Sequence, residues 1–233
     1  MKNYKTLPHV SLGDFPLHYC VASTPRSGTR YAAALLSKSG LCCGHEQYFC
    51  VDKIILQSCL PYFGDSSWLS VPFLHLLPDD AILFHQVRNP IKTIQSCVGP
   101  NNKGRFYDYS KDRRPESPWF AFHHDHTIDW EWPDTSDPIA MENHFWCEWH
   151  ERIEEEGRKH RYIRYRVEDM DENVVRVMFS ILGQRSSYDR QKVRDALGMV
   201  SKKTNHRGDR GKADASIITP MTRKLAEKYG YEF

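Results

Sequence analysis

The chain lacks any apolar run near the ~18 residues that a membrane-crossing helix needs. Its opening stretch, MKNYKTLPHVSLGDF, also lacks the apolar centre of a signal peptide. No membrane span and a cytoplasmic location are the expectation. Strong charge of either sign is missing too. The formal net charge is +2 over 233 residues, too near neutral to point to nucleic acid, and no nucleic-acid partner is expected. A cysteine framework is absent: seven Cys, an odd number at irregular spacing, suit neither paired disulfides nor a zinc pattern. Cys42, Cys43, His45 and Cys50 lie close together, and so do His123, His124 and His126. The first group reads better as small buried side chains. The second fits no ligand spacing, so no metal is expected. No segment repeats.

Hydrophobic residues at 40% and charged residues at 27% describe a globular chain rather than a disordered one. The length suits one α/β domain over residues 1–233. Short apolar runs at 17–23 and 81–87 read as strands, the first of them buried, and 161–167 is a third strand candidate. Helices are expected at 31–38, 52–60, 68–77, 90–97, 139–159, 173–182, 191–197 and 219–229, with Gly40 and Gly183 as stops and Pro90 as a first helical residue. Strands alternating with helices imply a mainly parallel central sheet covered on both faces. Residues 99–138 hold Gly, Pro, Asp and many aromatics, including Trp119, Phe120, Phe122, Trp130 and Trp132, without a sustained period. They read as a lid or substrate wall. Residues 201–212, SKKTNHRGDRGK, are a basic loop that invites an anion.

The most informative stretch is STPRSGTRY at residues 23–31. A strand feeds a compact loop, which feeds a helix. The N-terminus of that helix offers unpaired N–H groups and partial positive charge to an anion. Gly28 lets backbone approach closely, Ser27 and Thr29 add hydroxyls, and Arg26 adds fixed charge. A triphosphate loop of the G-x-x-x-x-G-K-[ST] type does not fit. With its last Gly on Gly28, Ser23 falls at the first Gly, Thr29 at the Lys and Arg30 at the magnesium-binding hydroxyl. The pattern favours a phosphate site over a metal–triphosphate site.

PRSGTRY resembles the 5′-phosphosulfate loop of sulfotransferases that use 3′-phosphoadenosine-5′-phosphosulfate (PAPS). Arg26 stands where many members carry Lys, and Arg30 where they carry a second Thr. In HQVRNPIKTIQS, Arg88 ends the second strand and Ser96 follows eight residues later, about two helical turns on. This resembles the family's 3′-phosphate motif, a charged fork plus a short hydroxyl. YRVEDMDENVVRVMFSILG resembles a further family segment, with Val167 where an adenine-contacting Tyr is often found. Arg207, in NHRG, matches a late basic loop near the 3′-phosphate. The resemblance implies a P-loop-like sulfotransferase fold, PAPS as cosubstrate, a carbohydrate or small-molecule acceptor, and donor contacts from Arg26, Ser27, Gly28, Thr29, Arg30, Arg88, Ser96 and Arg207.

Sulfuryl transfer needs a base for the acceptor proton and cationic help for the leaving phosphate. SGLCCGHEQYF resembles the region of bacterial carbohydrate sulfotransferases where a Glu lies near the acceptor. Glu46 is therefore the first candidate base, and His45 beside it the second. His75 lies only thirteen residues before Arg88, and His85 falls inside a strand. The catalytic set is then Glu46, Arg26 and His45. A small-molecule kinase and a non-catalytic nucleotide-binding module remain open beside the sulfotransferase.

Overall fold

The computed structural model describes residues 17–49, 64–99, 133–204 and 214–233. Five strands form one parallel sheet: β1 (Tyr19–Ala22), β2 (Cys43–His45), β3 (Gly64–Ser67), β4 (Ile82–Val87) and β5 (Arg161–Arg166), in the order β2-β3-β1-β4-β5. The α-helices are α1 (Thr29–Ser39), α2 (Pro90–Val98), α3 (Pro138–Gly157), α4 (Glu172–Ile181), α5 (Arg190–Thr204) and α6 (Pro220–Lys228). Among the described residues, no helix is long and apolar enough to cross a membrane.

Side chains alternate across the central strands, so each face carries its own core. Tyr19 and Val21 of β1, with Ile82 and Phe84 of β4, pack under α1, α4 and α5. Cys20, Ala22 and Leu83 point the other way, toward the 3-10 helix Val71–Leu76 and toward Phe145, Trp149 and Ile153 of α3. All six residues of β4 are buried, as a strand covered on both faces requires. The edge strand β5, RYIRYR, instead carries three arginines. Charge along an edge discourages further strand pairing.

The long strands and most helices lie where the apolar pattern puts them. Gly40 ends α1 in the left-handed region, at φ 107°. Asn89 caps α2 by accepting from Lys92 N, with Pro90 as first helical residue. Four elements depart from the reading. Residues 68–77 hold a 3-10 helix, because Pro72 enters early and Leu77 precedes Pro78, which holds Leu77 extended. Helix α5 runs past Gly198 to Thr204. Burial of Val200 two residues on outweighs the ~1 kcal/mol that a mid-helix glycine costs. Strands β2 and β3 were not expected at all.

Strand β3 reads GDSS, a poor strand sequence. Its backbone pairs on both sides, with β1 and β2, and its buried polar groups all find partners. Asp65 accepts from Gln47 N and Tyr48 N, Ser66 Oγ donates to Thr29 O, and Ser67 Oγ accepts from Leu69 N. Gly64 leaves room for the Tyr19 ring, which a Cβ there would meet at 2.0 Å. The expected helix at 52–60 lies outside the described residues, as does most of the 99–138 segment.

On the α3 side of the sheet, His85 is fully buried. Its Nε2 shares a hydrogen bond of 2.6 Å with His150 Nδ1, and its Nδ1 one of 2.5 Å with the Tyr162 hydroxyl. Burial lowers both imidazoles, with Arg164 adding to it, and His150 falls to about 3. Both stay neutral in the fold, whereas in the unfolded chain each gains a proton below pH ~6.5. The unfolded state then binds more protons, so stability falls as pH falls from about 6.5 toward those lowered values. Each histidine contributes up to ~1.4 kcal/mol of loss per pH unit. Urea midpoints measured from pH 7 to 5.5 should drop accordingly. A flat midpoint would show that these imidazoles charge within the fold.

Candidate functional site

The order β2-β3-β1-β4-β5 sends the chain from β1 toward one edge of the sheet and from β4 toward the other. Ligands of open α/β sheets bind at such a divergence, beyond the carboxyl ends of the strands. Residues 23–28 leave β1 at this point, and Arg88 leaves β4 beside them.

The loop after β1 is held in an uncommon shape. Ser27 N donates to Thr24 O at 3.3 Å, and the Thr24 and Ser27 hydroxyls hydrogen-bond each other. Arg26 sits in the left-handed region at φ 64° and Gly28 at φ 91°. Such left-handed turns aim successive N–H groups into one concavity. Gly28 is the N-cap of α1 and has no side chain to satisfy the first-turn amides. No acidic residue occupies that turn, while Arg30 does and Arg26 stands just before it. Cations at the positive end of a helix are unfavourable unless an anion joins them.

The two separated motifs meet here. Arg26 Nε donates to Ser96 Oγ at 2.9 Å, across 70 residues of chain. Arg88 donates from one guanidinium nitrogen to Arg26 O at 2.5 Å. Arg26, Arg88 and Ser96 thus form one basic, hydroxyl-bearing group at the end of α1. Their charge also reaches the buried Cys97 thiol, which burial and Glu142 hold well above its usual range while Arg26 and Arg88 pull it down. Val167, just after β5, lies beside the loop: a Cβ on Gly28 would sit 3.4 Å from Val167 Cγ2.

A second group lies on the β2 side of the loop. Thr29 Oγ1 is 3.2 Å from His45 Nε2, and His45 Nε2 is 3.6 Å from Glu46 Oε1. Burial, then the charge of Arg30, lowers His45 to about 4. It is neutral at pH 7 and a weak base. Glu46 moves the other way: burial and then Asp65 raise its carboxyl, against the opposing pull of Arg30 and the Trp68 indole. A raised carboxyl is the better proton acceptor of the two. Arg30 itself is exposed, and its charge acts on this pair. Among the described residues, Arg26 and Glu46 are the non-glycine residues with positive φ. Strain of this kind costs ~1–3 kcal/mol and gathers at functional sites.

Of the other candidates, His75 is exposed on the Val71–Leu76 helix, and His85 is sealed in the core with His150. Cys43 is buried among the residues around Tyr19. Among the described residues, no three His, Cys, Asp or Glu side chains are placed to hold a metal ion. Arg207, Cys50, the histidines at 123–126 and the aromatics at 119–132 lie outside the described residues.

Gln86 escaped the sequence reading. Its main-chain carbonyl accepts from Ser23 Oγ at 2.6 Å, its Nε2 donates to Ser27 O at 2.8 Å, and its Oε1 accepts from the Tyr165 hydroxyl at 2.7 Å. One buried residue therefore grips both ends of the loop after β1. The signal for it was a polar residue near the end of an otherwise apolar strand, AILFHQV. Asp65 was missed because GDSS gave no sign of a strand. Replacing Gln86 by Ala leaves the Tyr165 hydroxyl and Ser27 O without that partner, and should lower stability by about 1–3 kcal/mol in urea titration. An unchanged unfolding midpoint would show that the loop holds its shape without Gln86. No family model matches the chain, and no curated protein matches it.

Proposed function

We propose that this chain is a PAPS-dependent sulfotransferase that moves a sulfuryl group to a hydroxyl of a carbohydrate or small metabolite. The observation that carries this reading is the contact of Arg26 with Ser96, with Arg88 anchored on the Arg26 carbonyl. Two motifs that each suit a phosphate, and that are remote in sequence, share one site at the divergence of the sheet. A donor bearing phosphates at both its 3′ and 5′ positions calls for such a double site.

The residues fit that donor. The uncapped first turn of α1 and the left-handed loop suit the 5′ group. The Arg88 guanidinium, anchored on Arg26 O, and the Ser96 hydroxyl beside it suit the 3′-phosphate by charge and hydrogen bonding. The donor supplies a sulfur activated by a good leaving group, adenosine 3′,5′-bisphosphate. On this reading the acceptor oxygen bonds to sulfur as the bond from sulfur to the bridging oxygen breaks, and that electron pair leaves on the phosphate. Arg26 neutralises the charge that develops there. Glu46 takes the acceptor proton. Neutral His45, set between Thr29 and Glu46, holds the base beside the phosphate loop.

Calorimetric titration with adenosine 3′,5′-bisphosphate, beside ATP with magnesium, tests the donor site. Micromolar binding of the bisphosphate with little response to ATP is expected. A preference for ATP with magnesium would turn the reading to a kinase. Arg88→Ala should weaken the bisphosphate by about 10- to 100-fold, the worth of a charged hydrogen bond. Equal affinity would remove Arg88 from the site.

Turnover tests the chemistry. Arg26→Ala should lower kcat more than donor affinity, and Glu46→Gln should abolish transfer while the bisphosphate still binds. Because the base must be ionised, activity should fall on the acid side at a pH above the ordinary carboxylate range, following the raised Glu46 carboxyl. Full turnover by Glu46→Gln would assign the proton to another group.

A further inference from the structure

We infer that Asp65 is a positioning residue for the base: its buried carboxylate holds the turn that carries Glu46 and sets the charge behind it. This rests on the sulfotransferase reading only for the role of Glu46. The placement of the turn stands on geometry.

Asp65 is fully buried in the middle of β3, between Cys20 of β1 and Gly44 of β2. Its two oxygens accept from Gln47 N and Tyr48 N, each at 3.2 Å, and the nearby amides of Phe49 and Ser66 also favour its charged form. Glu46 N reaches the neighbouring Ser66 O at 3.4 Å. The turn is therefore hung from β3 by successive amides. The rings of Tyr48 and Phe49 are sealed beneath it at 0% exposure. That anchoring is what keeps Glu46 in the left-handed region, at φ 54°, where a β-carbon is unfavourable. Gly44 completes the seat: a Cβ there would lie 2.9 Å from Asp65 Oδ1 and 2.7 Å from Gln47 Cγ. A buried charge is tolerated when several hydrogen bonds satisfy it.

The charged and titratable groups around this pair are few. Tyr19 and Cys20 of β1 and Cys43 of β2 are all raised by burial, Cys20 to about 12, so they stay neutral at working pH. Burial raises Asp65 itself to about 6 against the pull of these four amides, so it is mostly ionised at pH 7. Glu46 faces Asp65 on one side and Arg30, His45 and the Trp68 indole on others. The Asp65 charge makes Glu46 harder to ionise and a stronger base.

The test is Asp65→Asn, which keeps the shape, removes the charge and turns one acceptor into a donor. The Glu46 carboxyl is followed by carbon-13 NMR titration, transfer by its pH profile, and the donor site by bisphosphate calorimetry. In the variant the Glu46 midpoint and the acid limb of kcat should both move to lower pH. At neutral pH kcat should fall by about tenfold or more, while bisphosphate affinity stays within about twofold. A Glu46 midpoint that does not move, or bisphosphate affinity lost in step with kcat, would overturn the assignment. Should Asp65→Asn fail to fold, Gly44→Ala, which keeps the charge but displaces the carboxylate and the turn, should lower kcat with bisphosphate affinity again within about twofold, and unchanged kcat would overturn the assignment. If the wild-type protein transfers no sulfuryl group, the functional reading fails, yet the Glu46 titration still decides what Asp65 does.

Discussion

The grip of Gln86 on the loop after β1 is the contact on which the candidate site depends. Its carbonyl takes the Ser23 hydroxyl, and its amide holds Ser27 O, so the loop is fastened at both ends to the neighbouring strand. Without that fastening, little would keep Arg26 in a left-handed backbone that an arginine does not favour. With it, the Arg26 side chain reaches Ser96 and its carbonyl receives Arg88. The parallel sheet makes this possible, because β1 and β4 are direct neighbours whose carboxyl ends open side by side.

The site has two halves on either side of the loop. Toward β4 and α2 it is basic, with Arg26, Arg88 and Ser96. Toward β2 and β3 it holds Glu46 and a neutral His45, with Asp65 behind them. That division suits a reaction in which one partner leaves as an anion and the other gives up a proton. The partial burial of His45 and Glu46 matters as much as their identity. Exposed, His45 and Glu46 would titrate in their ordinary ranges, whereas here burial drives the imidazole down and the carboxyl up.

Several polar residues inside this fold hold its central strands in place. Asp65, Ser66 and Ser67 occupy the centre of the sheet, and Gln86 and His85 the buried strand beside β1. Each finds a hydrogen-bond partner, Ser67 in the turn that follows its own strand and the others in separate elements, which removes the desolvation cost that would otherwise bar it from the interior. Groups near the loop hold it in shape, and groups farther away, such as His85 with His150, tie the sheet to α3.

Much of the fold was legible in the residues alone. Apolar runs located β1 and β4, and Gly40 and Pro90 marked helix ends, because burial and capping act locally and leave a local pattern. The loop after β1 was legible for the same reason: a strand, a glycine turn and a helix start are adjacent in the chain. Strands β2 and β3 were not legible, since CGH and GDSS become strands only when neighbours complete their hydrogen bonds. Nor could the order of the strands be read, and with it the meeting of Arg26 and Ser96 across 70 residues. The sequence by itself determined which groups could bind an anion. Only the tertiary structure decided that Gln86 would clamp them and that Asp65 would stand behind Glu46, because long-range hydrogen bonds between buried groups have no period along the chain.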